Sequence, residues 1–125
     1  ESLRVFDQMQ DRSRWRDAVA RLVERKADGV TVLSLRRGAY RGMVAVEPRG
    51  DKLTRARRVQ PHIHAGGLSV PERAEWLADY LRELLSFPGS PHDDQIDATT
   101  QLIEYLFANA SDDDAHAARL LGAVM

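Results

Sequence analysis

The sequence contains no cysteine, and aromatic residues make up only 6% of its 125 positions. Without thiols there is no disulfide framework, no zinc ribbon and no cysteine nucleophile. Apolar runs are short, and none approaches the ~20 residues needed to cross a bilayer as a helix. No Gly-x-x-x-x-Gly-Lys-Ser/Thr loop for nucleotide phosphates and no Gly-x-Ser-x-Gly nucleophile elbow occurs. What is present is an ordinary globular composition, 43% hydrophobic and 30% charged. A chain of this length buries a single core.

A formal net charge of −1 hides an uneven distribution. Residues 1–62 carry 15 Lys and Arg against 8 Asp and Glu, whereas residues 63–125 carry 3 against 11. A basic half followed by an acidic half has two physical readings. One is a polyanion partner on one surface and a cation site on the other. The other is mutual neutralisation within the fold.

Patterning alternates short apolar strands with helices, the signature of an α/β domain. Leu3–Met9 alternates loosely and is expected to be a strand. Asp11–Leu22 is expected to be a helix through Trp15, Ala18, Val19 and Leu22. Leu22-Val23-Glu24 reads as a strand end passing into a turn, followed by a helix over Val30–Arg37. Met43–Val46 reads as a short buried strand closed by Glu47-Pro48. Asp51 is a suitable N-cap for a helix from Lys52 to about Gln60, which Pro61 is expected to end. Leu68–Pro71 is read as an edge segment, and Glu72–Leu85 as an amphipathic helix carrying Trp76, Leu77, Tyr80, Leu81, Leu84 and Leu85 on one face. Pro88 and Pro91 interrupt the chain before a last long helix from Asp93 to about Ala108. Asp112–Val124 is read as a short helix or tail.

The segment Pro91-His92-Asp93-Asp94-Gln95-Ile96-Asp97 is the richest in chemistry. Carboxylates at a helix start are favoured by its dipole and serve as caps. The stripe Ile96, Thr100, Ile103, Phe107, extended backwards, lands on Asp93 and aims it at the protein body. There an unpaired carboxylate is costly and a bound Mg²⁺ or Mn²⁺ would relieve it. Asp97 falls with Gln101 and Glu104 on a face expected to be polar, and Asp94 lies between the two directions. Glu24 stands at the carboxyl end of a strand, where α/β folds gather ligands, or else it simply pairs with a neighbouring arginine. Lys52, Arg55 and Arg58 share one helix face and either line up towards phosphates or form a solvated surface. His62 and His64 are too few for a transition-metal site.

The run FPGSPHDDQIDATTQLIEYL resembles the carboxyl-terminal signature of the large terminase subunit of tailed bacteriophages. The segments Val23–Gly29, Gly50–Ala56 and Gly66–Pro71 resemble further pieces of that family in the same order, so the resemblance spans roughly residues 20–108. It implies a ribonuclease H-like nuclease domain, a mixed sheet flanked by helices, expected here to lack the first strand and its catalytic Asp. Residues 1–110 would form this partial domain and residues 111–125 a tail or short helix. Carried over by motif, Glu24, Asp93 and Asp94 are the catalytic metal ligands, and Lys52, Arg55, Arg58 and His92 meet the DNA backbone. Asp97 matches the motif's later Asp and is expected to cap or to support a ligand. Asp7 is not given a catalytic role.

The function implied is cleavage of double-stranded DNA during genome packaging, in the cytoplasm of a bacterial host. Two Mg²⁺ or Mn²⁺ ions would assist the hydrolysis. The implied partners are double-stranded DNA and the portal or small terminase subunit, with no membrane. The alternative expectation is a non-catalytic prophage remnant or DNA-binding assembly module with an incomplete metal site. Another ribonuclease H-like enzyme, such as an integrase, leaves the His-Asp-Asp segment unexplained.

Overall fold

A computed structural model describes residues 1–11 and 16–109 of the chain. Among these residues seven elements follow in order: α1 (Ser2–Asp11), β1 (Arg21–Glu24), α2 (Asp28–Arg36), β2 (Met43–Val46), α3 (Lys52–His64), α4 (Leu77–Ser86) and α5 (Asp94–Ala108). They divide into two compact units, Glu1–Pro48 and Arg49–Met125. Trp15 and the segment Ser111–Met125, including Asp112–Asp114, lie outside the described residues.

In the first unit β1 and β2 pair in parallel, with Arg21 opposite Met43 and Glu24 opposite Val46. Parallel neighbours require a crossover, and α2 supplies it. Both strands were legible as short apolar runs. The sheet, however, is two-stranded and parallel among the described residues, not the mixed sheet expected. Leu3–Met9 is the main correction, because it lies within α1. Its inward positions are Ser2, Leu3, Phe6, Asp7 and Gln10, a helical stripe, while Val5 and Met9 face solvent. The loose alternation misled because half of this stripe is polar. Asp7 accepts from Arg36 Nε at 2.9 Å and Nη2 at 2.9 Å, and from the Tyr40 hydroxyl at 2.9 Å. Phe6 meets the Tyr40 ring edge-on.

The helix expected over Asp11–Leu22 is corrected in its later part, beyond Arg16; residues 12–15 lie outside the described residues. Asp11 ends α1, Leu22 belongs to β1, and Val19 is exposed between them. That connection is held by buried Arg21, whose guanidinium donates to Gln10 Oε1 at 2.5 Å and to the carbonyls of Arg16, Ala18 and Arg41. One side chain thus satisfies three backbone carbonyls in the segments that lead into β1 and β2.

Among its described residues the second unit holds three helices. Asp51 caps α3 as expected, its carboxylate accepting from Thr54 N at 2.7 Å. The helix runs through Pro61 to His64 instead of stopping before it. Leu68–Pro71 forms no strand, and α4 starts at Leu77, five residues later than its apolar pattern suggested. Helix α5 packs against both α3 and α4. Its stripe is buried at Ile96, Thr100 and Ile103, while Phe107 is half exposed and stacks on His62 with ring centroids 3.7 Å apart. The face expected to be polar is corrected, because Gln101 is buried and Asp97 is nearly so.

Candidate functional site

Glu24 closes β1 in the first unit, half-buried, just before the turn that starts α2. Its carbonyl accepts from Lys26 N at 2.9 Å. The turn is tight. A Cβ on Gly29 would stand 1.9 Å from the Glu24 carbonyl oxygen, so only glycine lets α2 start this close to the strand. Ala27 sits at φ 46°, a left-handed conformation that costs a non-glycine residue ~1–3 kcal/mol. The acidic strand end and the glycine are sequence features; the strain at Ala27 is not legible from them.

In the second unit the other proposed residues converge on the start of α5 and its contact with α3. Lys52 Nζ donates to Asp93 Oδ1 at 2.6 Å, Arg55 Nη2 donates to Asp97, and Arg58 Nε donates to Glu104 Oε1 at 2.8 Å. Both partner sets advance along the chain together, so α3 and α5 run in the same sense, joined by a ladder of ion pairs. Electrostatics follow from it: the Asp93 carboxylate beside Lys52 holds the ammonium above the usual lysine range.

The rungs differ in depth. The Lys52 side chain is 46% exposed, whereas Arg55 is 4% exposed and also donates to the Gly50 carbonyl at 2.7 Å. Arg55 Nε has no hydrogen-bond partner among the described residues. The expectation that Lys52, Arg55 and Arg58 form one outward row is therefore corrected. Arg55 points into the helix pair, and its neighbours reach towards α5 carboxylates. Spacing on α3 predicted the shared face correctly; that α5 would present matching carboxylates to it depended on Asp97 lying inward.

Asp93 occupies the N-cap position of α5, yet its side chain makes no capping bond. Asp94 is exposed in the first turn. His92 is exposed, its backbone N–H donating to Ser90 Oγ at 3.2 Å and its carbonyl accepting from that hydroxyl at 2.7 Å. The amides at the helix start are taken instead by Glu83 of α4, a residue without a role in the sequence reading. Its Oε1 accepts from Gln95 N at 2.7 Å and Ile96 N at 3.1 Å, and its Oε2 from Gln95 Nε2 at 2.7 Å. Glu83 is buried while its apolar neighbour Leu85 is 83% exposed, an inversion that hydrophobic patterning cannot anticipate.

Two adjacent carboxylates are oxygen donors of the kind that Mg²⁺ or Mn²⁺ takes, and the Lys52 ammonium already stands as a cation on one of them. Asp93 and Asp94 thus fit a divalent ion in kind but supply too few donors to complete its site. Among the described residues no group of three or more His, Asp or Glu side chains is gathered to hold a metal ion. Nor is any helix among them long and apolar enough to cross a membrane. A family model described as the terminase RNaseH-like domain matches residues 7–106. No curated protein and no solved structure matches the chain significantly.

Proposed function

Because this chain belongs to the terminase RNaseH-like domain family, we propose that it is a metal-dependent endonuclease domain of a phage or prophage terminase large subunit. Its reaction is hydrolysis of double-stranded DNA during genome packaging, in the bacterial host cell. The observation that carries the reading is the family match across residues 7–106, which includes Glu24 and the Asp93-Asp94 pair. Asp93 and Asp94 on α5 are proposed ligands of Mg²⁺ or Mn²⁺, and Glu24 on β1 is a further proposed metal ligand. A divalent ion bound there would polarise a phosphoryl oxygen and lower the pKa of water.

The chain's own residues supply the rest. Lys52 shields the Asp93 carboxylate until a stronger cation takes its place. Exposed Lys52, Arg58 and His92 meet phosphates of the backbone, contacts that position DNA without reading its sequence. Arg55, buried against Asp97, keeps α3 and α5 in register behind them. The portal or the small terminase subunit is the proposed protein partner.

Calorimetric titration with Mn²⁺ tests the site. Wild-type protein is expected to bind, and Asp93→Ala and Glu24→Ala each to bind about tenfold more weakly, a difference of ~1.4 kcal/mol. Unchanged binding in both variants would remove these residues from the site. A second reading is favoured by the Lys52–Asp93 bond and the shortage of clustered carboxylates: a DNA-binding assembly module that does not cleave. A plasmid-nicking assay in Mn²⁺ separates the two. Salt-sensitive DNA binding without nicking selects the module.

A further inference from the structure

An Asp at the N-cap normally turns its carboxylate back onto the amides two or three residues on, because the first turn of a helix leaves those donors without partners. Asp93 has the right side chain in the right place and does not do so. The amides it would take, Gln95 N and Ile96 N, both donate to Glu83 Oε1. Glu83 is fixed for this task. It is 9% exposed, its second oxygen is held by the Gln95 side chain, and one turn away the Tyr80 and Thr99 hydroxyls share a hydrogen bond of 2.9 Å. These pairs, 83 with 95 and 80 with 99, fasten α4 antiparallel to α5 at the point where α5 begins. Asp93 meanwhile reaches Lys52 across 2.6 Å.

We infer that Glu83 is a positioning residue: by capping α5 from a neighbouring helix it releases the Asp93 carboxylate to hold a cation. This rests on the metal-site reading for the identity of that cation, Lys52 being the one held here. A helix start that carries ligands faces a conflict, since its own amides compete for the same carboxylates. A carboxylate brought in from α4 removes the competition. Loss of Glu83 leaves the two amides without an acceptor, and Asp93, one residue outside the helix, is the nearest replacement. Asp93 would then turn away from Lys52 and from any metal.

Amide hydrogen exchange at Gln95 and Ile96, with Ile103 as an internal reference, tests the assignment without a metal. Asp93→Ala in the wild-type background is expected to leave both amides as protected as before. Glu83→Ala should lower their protection modestly, and adding Asp93→Ala to it should lower it by about a further fivefold, the value of one lost cap. The inference is overturned if Asp93→Ala alone exposes these amides, or if the double variant matches Glu83→Ala. The Asp93→Ala arm decides the matter even if Glu83→Ala does not fold.

Calorimetry with Mn²⁺ supplies the second readout. Glu83→Ala should weaken binding about tenfold, while Glu83→Gln, which retains an acceptor oxygen, should restore most of it. Equal loss in both variants would argue against capping as the route. If wild-type protein binds no Mn²⁺, the metal-site reading fails, whereas the exchange arms still decide what Glu83 does.

Discussion

Arg55 is 4% exposed and its partner Asp97 presents only 15% of its side chain to solvent. Removing one member of such a pair strands the other charge in a poorly solvated place. Arg55→Ala is expected to cost about 3 kcal/mol in urea unfolding, most of it from the abandoned Asp97. Replacing both by apolar residues of similar volume should cost far less, since the desolvation of both charges is then relieved as well. Lys52→Ala behaves differently. Its pair with Asp93 is exposed and salt-screened, so stability should fall by less than about 1 kcal/mol, while Mn²⁺ affinity at Asp93 should rise because the competing ammonium is gone. Lower Mn²⁺ affinity in Lys52→Ala would show that the lysine assists the ion instead of standing in for it. Residue roles were legible where chemistry is local, as at the Asp51 cap. They were not where a polar side chain owes its burial to another helix. Asp97 and Glu83 look like surface acids until α3 and α4 are placed against α5.

At the scale of elements, the strands and the start of α3 could be read because their signals lie within a few residues. Helix α1 could not, because its inward stripe uses Asp7 and Gln10 as partners for Arg36 and Arg21. The Asp7–Arg36–Tyr40 clamp joining α1 to the α2 region has a definite pH window. The hydrogen-bonded Arg36 guanidinium holds the Asp7 carboxyl below the usual carboxylate range. A depressed carboxyl contributes above its unfolded value, and the contribution is lost as pH falls through the folded one. The hydrogen bond to Asp7 pushes the Tyr40 phenol above its usual range. That contribution is complete below the unfolded value of about 10 and is lost as pH rises through the folded one. Thermal melts across pH should therefore show α1 loosening at both extremes, and Asp7→Asn should flatten the acid limb.

The β1–α2 turn makes a sharper prediction. Ala27→Gly should stabilise the fold by about 1 kcal/mol through relief of the left-handed φ. Gly29→Ala should destabilise it by at least about 2 kcal/mol, since the Glu24 carbonyl blocks the new methyl.

At the scale of the whole molecule, the chain's contacts fall into Glu1–Pro48 and Arg49–Met125. Each unit has its own polar anchor, Arg21 in the first and Arg55 in the second. Substitutions at Asp7 and Arg55 share no partner, so their stability effects should add within about 0.5 kcal/mol. Hydrogen exchange should place the losses separately, in α1 and α2 for Asp7→Ala and in α3 and α5 for Arg55→Ala. Loss of protection in both units from either substitution would refute their independence. The family was legible from four short motifs because sequence order survives where local geometry is misread. The placement of each motif in a particular packed unit was not, since it depends on contacts between residues some 40 positions apart, such as Lys52 and Asp93.

The α3–α5 ladder finally bears on how this protein would respond to ionic strength on DNA. A free lysine that meets a phosphate displaces a condensed counterion, and each such event steepens the fall of affinity with salt. A cation already seated on the chain's own carboxylate exchanges one anion for another. The abandoned carboxylate then gathers an ion from solution, so the net release is close to zero. Lys52 and Arg58 would touch phosphates yet add little to the slope, which would count only cations outside the ladder. A salt titration of DNA affinity would consequently report fewer contacts than a footprint of the same complex. The missing ones would reappear when Asp93 and Glu104 are changed to their amides.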